Sequence, residues 1–270
     1  MPNPRFISRV QTKNLRAEIW INRVPAVMLL PGEADGPVGV PLNEFIVSGE
    51  NRIGVVLHAG PLASRSAEPW PESDQAAAYS GPASLTLRLA QYADDQPVHR
   101  DGPPAILTIE WEGTAEPVPL RIERDFAAAS DFGRWAWQDA EPFPSLDDAV
   151  RGPALEYLGR MHALLAAGQF GRFVEESALK VEEYARAYGI AAAPVRGSML
   201  RALNSQTPQL RLRPLDPQAI DLRLVAGGRM IECLRTDRHH ALEFAGEGDG
   251  PTFFLPTMIG VTAAGWAMLR

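Results

Sequence analysis

The densest gathering of chemically competent side chains in the sequence is Arg235-Thr236-Asp237-Arg238-His239-His240, with Cys233 just before it and Glu243 just after. Two imidazoles beside carboxylates can supply a general base with its orienting acid, or a metal site of nitrogen and oxygen ligands. Adjacent strand residues point to opposite faces, so His239 and His240 meet on one ion only where a turn bends the chain between them. The run reads first as a solvated hairpin turn. A ligand site built on Asp237, His239 and His240 is the second reading, and catalysis the third.

The other candidates each have a plainer alternative. Cys233 could act as a nucleophile if His239 or His240 favoured its thiolate, but a single Cys on an alternating strand reads as a small core hydrophobe. His162 falls on the apolar side of a helical pattern, which suits a core or pocket-edge histidine better than a base without a partner. Trp135 and Trp137 flank Ala136 and would share one face of an extended Phe132–Trp137 segment. They could stack on a flat ligand, though large aromatics at a junction favour packing between domains. Glu247-Gly248-Asp249-Gly250 lacks the alternating acids of a calcium loop and reads as a hairpin turn. Glu175-Glu176 and Glu182-Glu183 read as a solvated helix face.

Familiar signatures are missing. The sequence contains no Gly-x-Gly-x-x-Gly, Walker loop, Gly-x-Ser-x-Gly, His-Glu-x-x-His or Cys-x-x-Cys, which lowers the weight of nucleotide enzymes, zinc proteases and redox proteins. With one cysteine, no internal disulfide and no Cys-based zinc cage can form. The expectation is no metal and no cofactor.

The elements that must position these residues change character along the chain. Short alternating runs punctuated by Pro and Gly predict strands at Leu15–Ile21, Arg52–His58, Leu85–Leu89, Ile106–Trp111 and Val118–Ile122. The stretch between Pro61 and Pro82, whose aromatics are Trp70 and Tyr79, reads as a long loop. Pro142 and Pro144 interrupt regular structure, and Ser145 is placed to cap a helix beginning just after it. Leu155, Leu158, His162 and Leu165 then recur at helical spacing up to Gly168. A second helix is predicted from Phe170 to Gly189, and a third begins near Gly197-Ser198. After Pro214 and Pro217 alternation returns: Gly227-Gly228 reads as a two-residue hairpin turn within a run of about five strands. The prediction is an α+β chain in two domains, a β-sandwich over 1–144 and a helix-then-sheet domain over 145–270.

Ala17-Glu18-Ile19-Trp20-Ile21-Asn22 and Asn43-Glu44-Phe45-Ile46-Val47-Ser48-Gly49-Glu50-Asn51-Arg52-Ile53-Gly54-Val55 resemble the jelly-roll sandwich module of family 2 glycoside hydrolases, in which a strand ending in Asn and a later Gly-Glu-Asn-x-aliphatic turn are frequent. The resemblance implies a jelly-roll sandwich. No (β/α)₈ barrel follows. Three helices followed by a curved antiparallel sheet are similar in element order to the cone-shaped fold of the nuclear-transport-factor-like superfamily, which implies a pocket and a dimer without assigning chemistry.

The 270 residues carry a net charge of −7, with 46% hydrophobic and 22% charged residues, which is ordinary globular usage. Residues 1–150 hold 12 Lys/Arg against 21 Asp/Glu, and residues 151–270 hold 14 against 12. So acidic a first half disfavours nucleic acid, whose binding depends on basic side chains releasing counterions. No run reaches the length of a membrane span or signal peptide, so the expectation is a cytoplasmic protein, with export open if a leader was trimmed. Its partners would be a protein, a second copy of itself or a small-molecule ligand. The leading expectation is a non-catalytic binding or assembly protein, and the alternative an enzyme with an acid/base pocket inside the C-terminal cone. A filled apolar interior would favour the first.

Overall fold

The structure is a computed structural model that describes residues 3–29, 38–58, 81–93, 96–98, 102–114, 118–237, 239–247 and 250–270. Most of the long loop between Pro61 and Pro82, with Trp70 and Tyr79, lies outside the described residues, as do Arg238, Gly248 and Asp249. The chain forms two compact units. One comprises Met1–Gly133 with Ala187–Gly189, and the other comprises Arg134–Arg186 with Ile190–Arg270. The division lies ahead of Pro142 and Pro144.

The first unit is a β-sandwich. Its strands are β1 (Arg5–Lys13), β2 (Arg16–Ile21), β3 (Val24–Leu29), β4 (Val38–Pro41), β5 (Gly49–His58), β6 (Ala83–Tyr92), β7 (Ala105–Gly113) and β8 (Leu120–Ala128). They form two antiparallel sheets, ordered β4-β1-β6-β7 and β3-β2-β5-β8. The five strands expected from alternation are present, and β1, β3 and β4 join them. β1 escapes a sequence reading because its buried row is Phe6, Ser8 and Val10, with a serine where the pattern needs an aliphatic. In β2, Ala17, Ile19 and Ile21 are fully buried, and so, within a few per cent, are Arg16, Glu18 and Trp20 on the opposite face. Both faces of that strand are covered. Truncating one of its buried aliphatics to Ala costs about 2–5 kcal/mol.

The second unit begins with α1 (Ala136–Asp139), α2 (Asp148–Ala166), α3 (Phe170–Glu176), α4 (Ala178–Ala187) and α5 (Ala192–Gln206). Its strands are β9 (Arg211–Leu212), β10 (Ile220–Val225), β11 (Met230–Arg235), β12 (Leu242–Ala245), β13 (Thr252–Leu255), β14 (Met258–Thr262) and β15 (Gly265–Met268). They make two antiparallel sheets, β10-β11-β14-β15 and β13-β12-β9, where one curved sheet was expected. The core joins Tyr157, Leu158, Met161 and Leu165 of α2 to Phe173 and Val174 of α3, and to Ile231, Cys233, Leu242, Phe244 and Ile259 on the strands.

Several local expectations are corrected. Asp147, not Ser145, caps α2, accepting from Val150 N at 3.1 Å. The far end matches its reading: Gly168 adopts φ +64°, and the Gly168 and Gln169 amides bond to Leu165 O and Leu164 O, closing a Schellman cap. The helix expected over Phe170–Gly189 is broken at Ser177, whose Oγ donates to Phe173 O at 2.8 Å. The third helix starts at Ala192, ahead of Gly197. Val225 pairs with Met230, so the β10–β11 connection is a four-residue loop in which Ala226, Gly227 and Gly228 all have positive φ. Gly228 is required twice over, because a Cβ there would lie 2.5 Å from Phe143 O.

Candidate functional site

The described residues of the polar run before β12 form a turn, as expected, between strands that belong to different sheets. Arg235 N donates to His239 O at 2.8 Å, and His239 N donates to Asp237 Oδ1 at 3.2 Å. Leu234 bridges to His240. The two imidazoles then diverge. His239 Nδ1 lies 3.4 Å from Glu243 Oε2, while the His240 ring stacks on Phe254 with centroids 4.5 Å apart and planes 13° from parallel.

Glu243 is the anchor of this cluster. Its carboxylate is 2% exposed and also receives Arg213 Nε at 3.0 Å. Arg213 N donates to Glu243 O at 2.9 Å, and His162 Nε2 sits 2.9 Å from Arg213 O. The structure thus strings His162, Arg213, Glu243 and His239 together. Arg213 was missed by sequence reading because it reaches Glu243 through the Phe244–Leu212 register, across about thirty residues of sequence. A buried carboxylate on Nδ1 fixes the ring of His239, the orientation that acid–base chemistry at Nε2 would use. Asp237 instead serves the turn and the Arg235 guanidinium, 3.5 Å away. Among the described residues no group of three or more His, Cys, Asp or Glu side chains could hold a metal ion.

Burial governs the remaining titratable candidates. It pushes the His240 imidazole down to about 4, helped by the positive charges of Lys180, His239 and Arg223. Burial also pushes the Cys233 thiol far up, with a smaller push from Glu232, so this sulfur is a protonated core atom at neutral pH.

Trp135 and Trp137 do not share a face of an extended segment. Trp135 has extended backbone but caps α1, and Trp137 lies inside that short helix. Both are buried. The Trp135 ring meets the guanidinium carbons of Arg186 and Arg270 at 4.6 and 5.1 Å. Glu183, assigned from sequence to a solvated face, is 4% exposed and accepts hydrogen bonds from Ala136 N, Arg186 and Arg270. Glu182, beside it, is exposed and pairs with Arg196.

The sandwich carries a cleft of about 630 Å³, lined by Asn22, Arg23, Glu50, Asn51, Arg52, Asp125, Phe126 and Ala127. One wall is the β2–β3 turn, where Asn22 and Arg23 take φ of +53° and +65°. Asn22 Nδ2 donates to Asn51 Oδ1 at 2.8 Å and to Phe45 O at 2.9 Å. Buried Asn51 donates in turn to Val47 O and Gly49 O and accepts from Val47 N. At the rim, Arg52 Nε and Nη2 meet Asp125 Oδ1 and Oδ2 at 2.6 and 3.1 Å, a bidentate pair. That bond raises the guanidinium's proton affinity and lowers that of the carboxyl. Asn22 and Gly49-Glu50-Asn51 were read from sequence for their turn chemistry, and they build this corner.

Comparison of the chain with protein-family models, with curated proteins and with solved structures returns no match.

Proposed function

We propose that the chain is a non-catalytic binding or assembly protein whose contact site is the sandwich cleft. The observation that carries this reading is the polar concavity at whose corner Asn22 bonds to Asn51, with Arg23, Arg52, Glu50 and Asp125 offering two positive and two negative groups around it. Ligand sites are concave and combine a few fixed polar groups with apolar surface, here Phe126 and Ala127. The balanced charge suits a small polar ligand without strong net charge, with a polar loop of a protein partner as the second occupant. The filled core of the second unit points the same way, since Cys233 and its neighbours occupy the interior that a reactive pocket would need.

The competing enzyme reading draws on the Glu243-oriented imidazole of His239. An NMR screen of the isotope-labelled full chain against neutral and zwitterionic small polar compounds separates the two. Shift changes confined to Asn22, Arg23, Glu50–Arg52 and Asp125–Ala127 are expected. Changes centred on His239, Arg213 and Glu243, or conversion of a compound, would overturn the binding reading.

A further inference from the structure

Among the described residues, the terminal strands of the sandwich are β4 and β7 on one sheet and β3 and β8 on the other. A terminal strand offers backbone groups to any passing strand, and natural edges are blunted by shortness, proline or like charge. β4 has four residues and ends on Pro41, and β3 carries Pro25. β7 carries Glu110 and Glu112 without a basic residue, so a second β7 laid against it would bring only acids together. β8 has none of these devices. It runs nine residues without proline, keeps unbroken register with β5 from Leu57–Leu120 to Gly49–Ala128, and pairs with β5 alone among the described residues.

The side chains of β8 suit a second copy of the same strand. Arg121 and Glu123 share one face, 3.9 Å apart, with side chains 46% and 27% exposed. Leu120, Ile122 and Arg124 share the other, opposite Leu57, Val55 and Ile53 of β5. Those three β5 residues are fully buried, whereas Leu120 and Ile122 are half-buried at the edge. Arg124 holds its guanidinium on its own strand, donating to Glu123 O at 2.8 Å. A copy related by a two-fold axis perpendicular to the sheet runs antiparallel to β8, and the residue on the axis meets itself. With Ile122 on the axis, Ile122 meets Ile122, Arg121 meets Glu123, and Leu120 lies against the stem of Arg124. With Arg121, Glu123, Arg124 or Asp125 on the axis, a charge meets its own like. Opposite charges directly across an antiparallel pair are favourable and like charges are not.

We propose that β8 is the interface between two copies of this chain, its two four-stranded sheets joining edge to edge into one of eight strands in the register centred on Ile122. Two reciprocal Arg121–Glu123 pairs fix that register, and Leu120 and Ile122 lose their remaining exposure. The ladder spans Leu120–Arg124 and stops short of Asp125, Phe126 and Ala127, which line the cleft. So short a ladder covers less than a standard interface, which makes the dimer weak, reversible and sensitive to salt.

Sedimentation velocity of the full chain, over a concentration series at low and high salt, tests this. A reversible dimer that weakens with salt is expected. Arg121→Glu and Glu123→Arg each set like charges across both pairs, and each should weaken dimerisation about tenfold or more. Mixed one to one, the two variants restore opposite charges at both positions, and a heterodimer of parent-like affinity should form. A misfolded variant would gain nothing from its complement, so recovery on mixing separates lost pairing from lost folding. A parent chain that stays monomeric up to roughly 1 mM, a dimer that persists in both single variants, or variants that fail to associate on mixing overturns the proposal.

Discussion

Glu183 and Arg270 form an ion pair inside the second unit, with each side chain 5% exposed and the pair closed over the ring of Trp135. A buried pair of this kind adds little over a well-packed apolar replacement, but removal of one partner strands the other's charge.

Glu183→Gln therefore leaves Arg270 and Arg186 facing a neutral amide, and is expected to destabilise the protein by about 3–5 kcal/mol. Trp135→Ala removes a fully buried indole and should cost about as much, roughly 3–5 kcal/mol. The two variants share contacts, so the double variant should fall short of the sum. Urea unfolding of the three variants beside the parent checks all of this, and additive losses would show that the indole and the carboxylate act independently.

Cys233 is fully buried with its thiol proton held tightly. At pH 8 the native protein should resist a thiol-specific disulfide reagent, and reaction should follow global unfolding in denaturant. Stoichiometric labelling within minutes in buffer alone would return Cys233 to the set of reactive candidates.

These two cases mark where sequence reading succeeds and where it stops. Cys233 was legible because alternation on β11 is local: its neighbours Ile231 and Leu234 are enough to place it in a packed strand. Gly168 was legible for the same reason, since a helix end is written within a few residues. Glu183 was not. Its burial depends on a break at Ser177, where a hydroxyl bonds back to Phe173 O, and on Arg270 arriving from 87 residues away. Once the helix is divided, Val181, Glu183 and Ala185 are buried while Tyr184 is exposed. The turn at Asp237–His240 was legible as such. Its connection to Arg213 and His162 depends on strand register that no local pattern announces.

Asn51 offers a sharper contrast with its neighbour. The amide of Asn51 makes two donor contacts and accepts from Val47 N and Asn22 Nδ2, so Asn51→Ala leaves several buried polar groups unmet and should cost about 2–4 kcal/mol. Asn51→Asp restores the acceptors but not the donors, and should recover part of that loss at most. Thermal melts of both variants decide whether the corner is held by these bonds or by backbone packing alone.

The last prediction concerns Arg52 and Asp125, which pair across β5 and β8 at the rim of the cleft with side chains 54% and 68% exposed. An exposed pair contributes at most about 0–1 kcal/mol, because water screens the attraction and ordering two long side chains offsets it. Arg52→Ala and Asp125→Ala should therefore melt within a degree or two of the parent. If the cleft is the contact site, both variants should nonetheless lose the shift changes that a bound small polar compound produces at Asn22, Glu50 and Phe126. The charge state adds a second readout. The Arg52 bond lowers the proton affinity of the Asp125 carboxyl, so the pair stays ionised below the usual carboxylate range. Binding that depends on the pair should hold as pH falls from 7 to 4, and Asp125→Asn should weaken it equally at every pH in that interval. A ligand response that survives in both alanine variants would place the contact site elsewhere on the protein.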